Sequence, residues 1–394
     1  MSTLAERSRE ARIEKQKKKR RIIIIIAVII AAAVAALGGW YILETIRTKK
    51  YTGYSVINEF ERQDSNTVRY RYYDGDLLKF SHDGASALND KGNALWNGSY
   101  DIKEPLVDVC GRYVAIADMG GKEIYVFNGS DTGVSVTVPY PIASLKIAGQ
   151  GVVAAILEDE TSNVIQLYNP YSQADKLLAE VPTNISSDGY PLDIALSPDG
   201  QSLVTTYLNV EGGGVQSNVC FYNFSEVGQE KNRMVGGIPY KDSLVTDIEF
   251  CGNDSVCIWL ENGFSIYSNM KQPKVVYEEL FESEIVSVAD SDKYIGLVFD
   301  KDGDSAVHNF KLYDIKGKKI LDTDISYEYN NLSIVDGEII FYNDMSCAIM
   351  RVDGSEKFCH SFDAEIDYFI KADDKDSYYI IDAAKVYKVR LTED

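Results

Sequence analysis

Ile124-Tyr-Val-Phe-Asn128 reads as a short β-strand running into a turn: an apolar residue, a spacer, a second apolar residue, an aromatic ring, then a turn former. The same arrangement returns as Ile165-Gln-Leu-Tyr-Asn169, Val219-Cys-Phe-Tyr-Asn223, Phe264-Ser-Ile-Tyr-Ser268 and Phe310-Lys-Leu-Tyr-Asp314, with weaker copies ending at Leu88, Val352 and Val389. The eight anchors, at 88, 127, 168, 222, 267, 313, 352 and 389, lie 43 residues apart on average. That is the length of one four-stranded propeller blade. From residue 67 onward short alternating strands are broken by Gly, Asn, Asp or Pro, with no helical period. An all-β, eight-bladed β-propeller is predicted, with seven blades as the alternative if one weak copy is spurious.

Between the anchors, Leu106-Val-Asp-Val, Ala143-Ser-Leu-Lys-Ile, Leu192-Asp-Ile-Ala-Leu, Val245-Thr-Asp-Ile-Glu-Phe, Ile285-Val-Ser-Val and Leu332-Ser-Ile-Val read as innermost strands. After Val389 only five residues remain, too few for an outer strand in the eighth blade. Residues 53–60, Gly-Tyr-Ser-Val-Ile-Asn-Glu-Phe, are a spare strand ahead of the first blade. Pairing the two would close the ring and remove two exposed sheet edges.

Upstream, Ile22 to Leu43 is a 22-residue stretch without a charge. As a helix it covers about 33 Å, enough for a hydrocarbon core of about 30 Å. Residues 1–21 carry nine Lys/Arg against three Glu, so they are expected to stay cytoplasmic and to place residues 44–394 outside. A cleaved signal peptide has a shorter apolar region and a small-residue cleavage pattern, which is not found here. The expected organisation is a basic cytoplasmic tail (1–21), a transmembrane signal anchor (22–43), a linker (44–52) and an extracytoplasmic propeller (53–394) in the cell membrane.

The whole chain of 394 residues has a net charge of −20, and the exported part, without the +6 of residues 1–21, carries −26. Such a surface does not bind nucleic acid through phosphate neutralisation. All six cysteines, Cys110, Cys220, Cys251, Cys257, Cys347 and Cys359, fall in the exported part. An even count in an oxidising compartment permits bridges, and the pairs 251/257 and 347/359 are close in sequence. Their spacing sets the sulfurs either opposite each other or on opposite faces. A domain this large does not need staples, and buried free thiols are the expected state.

Blade one, Asp83-Gly-Ala-Ser-Ala-Leu-Asn-Asp-Lys-Gly-Asn-Ala-Leu-Trp96, is similar to the tryptophan-docking blade of quinoproteins, and Ser197-Pro-Asp-Gly200 to a turn of WD40-like and TolB-type propellers. Only blade one keeps Trp at that place, so no quinone cofactor is implied. Through the Ser-Pro-Asp-Gly turn, Tyr222-Asn-Phe224 and Pro139-Tyr-Pro-Ile142, the chain resembles a bacterial family, mainly of Firmicutes, that carries a domain of unknown function. The resemblance implies a Gram-positive cell-surface protein and no activity.

Catalytic signatures are weak. His82, His308 and His360 are far apart with no second ligand at metal spacing, and there is no Gly-x-Ser-x-Gly, His-Glu-x-x-His or phosphate loop. Gly149-Gln-Gly-Val-Val-Ala154 mimics a dinucleotide fingerprint, but no helix pattern follows, so it reads as a hairpin turn. Asp300, Asp302 and Asp304 alternate as in calcium loops, yet the glycine is misplaced and no closing Glu follows. A hairpin turn is the expectation and Ca2+ the lesser one. No other cofactor and no metal is expected.

In a propeller the turns between strands two and three share one face with the blade-to-blade connections. That face carries the segments 182–191 and 210–215 beside blade four, with 158–160 and 300–304. Long loops on a rigid scaffold are where binding resides. Tyr190, Glu211, Gly212, Gly213, Gly214, Asp300, Asp302 and Asp304 are the candidate binding residues. The opposite face is expected to have mostly three- or four-residue turns. The function expected is recognition or scaffolding of a protein or cell-envelope component; the alternative is a propeller enzyme acting on glycan or peptide in the central channel. Carboxylates with a Tyr or His near the loop-rich mouth would favour the enzyme, and an apolar plug the binding module.

Overall fold

Each recurring strand is the third of a four-stranded antiparallel sheet, and the described residues form eight such sheets. The computed structural model describes residues 17, 32, 34, 38, 48–62, 67–129, 133–159, 162–183, 185–211, 214–229, 233–241, 243–301 and 308–393. Residues 51–394 make one compact unit. Blades 1 to 7 run over residues 69–99, 105–137, 142–183, 190–241, 245–280, 285–325 and 331–361; blade 8 joins 368–392 to 53–61. Seven of the eight anchors end in or at the edge of a third strand, and Val352 falls one residue past Ser346–Arg351.

The alternation has a direct consequence in the packing. Sheet faces meet their neighbours through eight core clusters, one at each seam between blades, from blades 1 and 2 round to blades 8 and 1. Second strands are sandwiched on both sides, and Ser377–Ile381 is buried at every residue. A buried strand of this kind reads as a nearly continuous apolar run, while outer strands such as Lys274–Leu280 alternate. First strands of neighbouring blades lie side by side, which puts them innermost.

Closure follows the expected route. Gly53–Glu61 pairs antiparallel with Lys385–Thr392, from Gly53 opposite Thr392 to Glu61 opposite Lys385, with a bulge between Val56 and Asn58. At its start, the Tyr51 amide donates to the Lys357 carbonyl (2.9 Å) and the Tyr51 hydroxyl to Asp376 (2.8 Å). At its end, the buried Arg62 guanidinium pairs with Asp367, donates to the Asp382 carbonyl (2.9 Å) and lies over the Tyr70 ring of blade 1.

Trp96 does dock, as its blade-one motif suggests. It stacks on Phe127 of blade 2 at 4.5 Å and donates its indole N–H to Tyr73 (3.2 Å). A Cβ at Gly98 would sit 2.3 Å from the Phe127 ring, so only glycine fits beside it.

Cys110, Cys220, Cys251, Cys257 and Cys347 are free thiols, buried at 251, 257 and 347 and half-buried at 110 and 220, while Cys359 is exposed. Cys347 lies opposite His360, and Cys359 opposite Ala348, so that pair points to opposite faces. Cys257 lies opposite Glu249, two residues from Cys251, which puts both thiols on one face but out of register. Apart from residues 32, 34 and 38, the apolar stretch 22–43 lies outside the described residues, as does most of the basic tail. Among the described residues no helix is long and apolar enough to cross a membrane.

Candidate functional site

The segment 210–215, expected to be a long loop, is the tip of a hairpin. Ser202–Glu211 and Gly214–Asn223, ten residues each, pair as far as Glu211 opposite Gly214. Gly212 and Gly213, between the two strands, lie outside the described residues. The hairpin outruns its neighbours: the first strand joins at Leu208 and the outer strand at Gln216. Beyond them Val210 and Val215 face each other, 66% and 47% exposed.

Tyr190 opens the first strand of blade 4, and its hydroxyl donates to Glu158 at the end of blade 3's second strand. That hydrogen bond to a carboxylate, aided by burial, pushes the Tyr190 hydroxyl up to about 12. Asp300 stays two blades away on blade 6, bonded to His308 Nδ1 (3.1 Å), while Asp302 and Asp304 lie outside the described residues. Among the described residues no group of three His, Cys, Asp or Glu is arranged to hold a metal.

Below the hairpin a cleft of about 520 Å³ opens between blade 3's outer strand and one face of blade 4. Its origin is a pair of small residues. Cys220 of the third strand lies opposite Gly237 of the outer strand, and together they do not fill the seam. Tyr207 and Tyr222 share a hydrogen bond at 3.2 Å and also line it, with Val181, Pro182, Met234 and Pro239 as apolar walls. Asn218, Glu180, Asp188 and Arg233 supply polar groups. Glu180 accepts from Gln166 (2.6 Å), and Arg233 donates to the Phe224 carbonyl (3.2 Å). Burial raises both tyrosines and pushes the Cys220 thiol up to about 11. These three groups stay protonated at neutral pH, so they offer the cleft hydrogen-bond donors rather than a thiolate or phenolate. Met234 of its lining is exposed, as are Leu177 and Leu178 of blade 3's outer strand and Tyr190 of blade 4.

The opposite face is not uniformly short-looped. Blades 3 and 4 join third to fourth strand through residues 169–176 and 224–233, the latter with a helical turn, Glu226–Gln229. Gly149 to Gly151 form a hairpin turn, as expected, and the Gly149 amide donates to the Pro198 carbonyl (2.8 Å). The Asp199 amide donates in turn to Asn253 (2.9 Å). Ser197-Pro-Asp-Gly200 thus ties three blades together.

The channel holds a charged cluster that loop length did not flag. Lys146 of blade 3 pairs with Glu249 of blade 5, a contact that reaches past the first strand of blade 4 inside the channel. Asp108, Asp193, Asp247 and Asp290 surround them, each from a first strand. Asp108 accepts from the Ile147 amide (2.6 Å). Burial, opposed by Lys146 and aided by the neighbouring Asp247 carboxylate, pushes Asp193 up to about 7; burial and Asp247 push Asp290 up to about 6. Lys146, drawn on by several carboxylates, stays charged. The signal was present in sequence: each group is a charge inside a first strand. The cluster sits from mid-channel toward the short-turn end, because first strands start at the loop-rich face, Asp193 and Asp247 fall near the middle of theirs, and Asp108, Lys146, Glu249 and Asp290 fall in their later halves.

The fold and these sites define an eight-bladed propeller with a charged channel and an open seam between blades 3 and 4. The chain belongs to a family of unknown function, DUF5711, whose model matches residues 47–391. Among solved structures it is similar to Chaetomium thermophilum Sqt1 bound to the N-terminus of ribosomal protein L10, at 10% identity over 86% of this chain and 100% of that one, TM-score 0.52. It is also similar to a eukaryotic initiation factor, at 13% identity over 88% and 91%, TM-score 0.51. BamB from Moraxella catarrhalis matches at 11% identity over 86% and 99%, TM-score 0.47. At such identities the likeness is one of fold. No curated protein matches the chain.

Proposed function

We propose that residues 51–394 are an extracytoplasmic recognition module, tethered to a bacterial cell membrane by residues 22–43, that binds a protein or cell-envelope partner on the rim of blades 3 and 4. One observation carries this reading: the cleft of about 520 Å³ and, on the same two blades, the exposed valine pair at the hairpin tip and exposed Leu177, Leu178, Tyr190 and Met234. Exposed apolar side chains beside a cleft favour an interaction site. Sqt1, of the same architecture, holds a protein N-terminus. The tether rests on the charge-free length of 22–43 and the basic residues before it.

Two experiments test it. Protease added to intact protoplasts should digest residues 51–394 and spare a small fragment containing 22–43; a protected large domain would overturn the orientation. Replacing Val210 and Val215 by Ser should reduce what the full chain captures from solubilised envelope, while the outward-facing Val275 and Val276 of blade 5, replaced likewise, should not. Equal effects from both pairs, or none from either, would remove blade 4 as the binding surface.

A hydrolase working in the channel is the second reading, favoured by the carboxylates Asp108, Asp193, Asp247, Glu249 and Asp290 gathered around Lys146 on innermost strands. Hydrolysis of glycan or peptide that survives Asp193→Asn and Asp247→Asn would exclude that pair as its acid and base.

A further inference from the structure

A second pocket, of about 290 Å³, lies in the seam between blades 7 and 8 where the closing strand arrives. Three rings meet there as a corner. Tyr54 and His360 lie 5.1 Å apart at 82°, His360 and Phe362 5.1 Å apart at 70°, and Tyr54 and Phe362 6.4 Å apart at 53°. Tyr387 adds a fourth ring to the lining, and buried Ile366 and Ile380 complete an apolar floor with Phe362. Asp363, Glu365 and Asp382 stand around it. Among the described residues none of these three carboxylates is in an ion pair, and no lysine or arginine lines the pocket. Burial lowers His360 below its ordinary value, against the pull of Asp363, so its ring is neutral at pH 7. The segment carrying Asp363 and Glu365 is fixed at both ends: the Phe362 amide donates to the Met345 carbonyl and the Ile366 amide to the Asp344 carbonyl, both at 2.8 Å.

Asp382 is engaged by the Ala384 and Lys385 amides (2.7 and 2.6 Å), while among the described residues no ion pair or hydrogen bond engages the Asp363 and Glu365 carboxylates; aromatic rings beside such carboxylates suit an organic cation. The floor narrows the class. A primary ammonium carries three N–H donors that need acceptors when buried, and Phe362, Ile366 and Ile380 offer none; a methyl-clad ammonium needs none. We propose that the seam between blades 7 and 8 binds a quaternary ammonium group of the choline type. The acidic rim repels a phosphate beside that group, which favours a free alkylammonium over a phospholipid headgroup.

The test titrates choline into the full chain in maltoside micelles, followed by calorimetry, beside its uncharged isostere 3,3-dimethylbutan-1-ol and n-butylammonium. Saturable choline binding, at least tenfold tighter than either competitor, is expected. Tyr54→Leu, Asp363→Asn and Glu365→Gln should each weaken it at least fivefold with melting unchanged. Dihexanoylphosphatidylcholine below its micelle concentration should bind more weakly than choline; if it binds more tightly, the lipid headgroup is the source of the same group. Equal binding of the isostere, tighter binding of butylammonium, no choline binding, or indifference to all three substitutions overturns the site.

Discussion

In blade 8 the outer strand comes from the far end of the chain and is bonded down at both ends, by Tyr51 to Asp376 and by Arg62 to Asp367. In blade 4 every strand is local, and the middle hairpin extends past its neighbours to end in two exposed valines. Behind the closing strand Lys357, almost wholly buried, holds Glu338, Asp376 (2.6 Å) and the Tyr378 hydroxyl (3.0 Å). In blade 4's seam small residues leave a cleft instead. A ring needs one seam that cannot open, because losing it exposes two sheet edges at once. Local strands elsewhere leave a blade free to carry irregular surface.

The harshest way to break this contrast is to remove residues 1–63. Without Gly53–Glu61 the third strand of blade 8 becomes an edge, and Tyr51 and Arg62 are gone. The truncated chain should aggregate or lose most of its stability, since a domain's whole margin is only about 5–15 kcal/mol. Size-exclusion chromatography and melting check this, and a truncated chain that melts like the whole would refute closure as the source of stability.

Next in size is Lys357→Met, which strands Glu338 and Asp376 in the seam. Breaking a buried pair from one side costs about 3–5 kcal/mol, measurable by urea unfolding. Burial pushes Asp376 up, but bonds from Lys357 and Tyr51 outweigh it and hold the carboxyl below its usual 3.8. The stability it contributes is therefore present above that value and lost as pH falls through the lowered one.

Blade 4's first strand should show the reverse sign. Asp193, raised to about 7, binds its proton in the folded state where the unfolded chain has released it. On its account stability falls as pH rises from about 4 to about 7 and is level above that. Asp193→Asn should flatten this slope by about 1–2 kcal/mol, allowing for water in the channel. An unchanged slope would mean that Lys146 neutralises the pair more fully than its position implies. The smallest effect belongs to the tip: Val210→Ser with Val215→Ser should move stability by no more than about 0.5 kcal/mol, because neither valine belongs to the core. A larger loss would show that the hairpin braces the blade.

Much of this was legible in residues alone. A strand with period two and a 43-residue return depends on local alternation, so the blades and the pairing of residues 53–60 with the last of them could be read directly. The strand pairing of Val210 and Glu211 with Val215 and Gly214 was missed because residues beside a run of glycines look the same in a loose loop and in paired strands. The pair Cys220 and Gly237, 17 residues apart and opening the cleft, carries no pattern at all. Of the candidate residues, Tyr190 came to rest on Glu158, which loop length had placed on the same face without naming the contact.

The sequence by itself determined the propeller repeat, the closing strand, the acidic surface and the charge-free stretch ahead of them, because each is written in spacing or composition along the chain, while the eight sheets of the structure decided between eight blades and seven. Only the tertiary structure decided which charges meet. Lys146 finds Glu249 103 residues away, and Tyr51 finds Asp376 325 residues away. A closed ring sets such distances by the angle between blades, and no local preference of the chain encodes that angle.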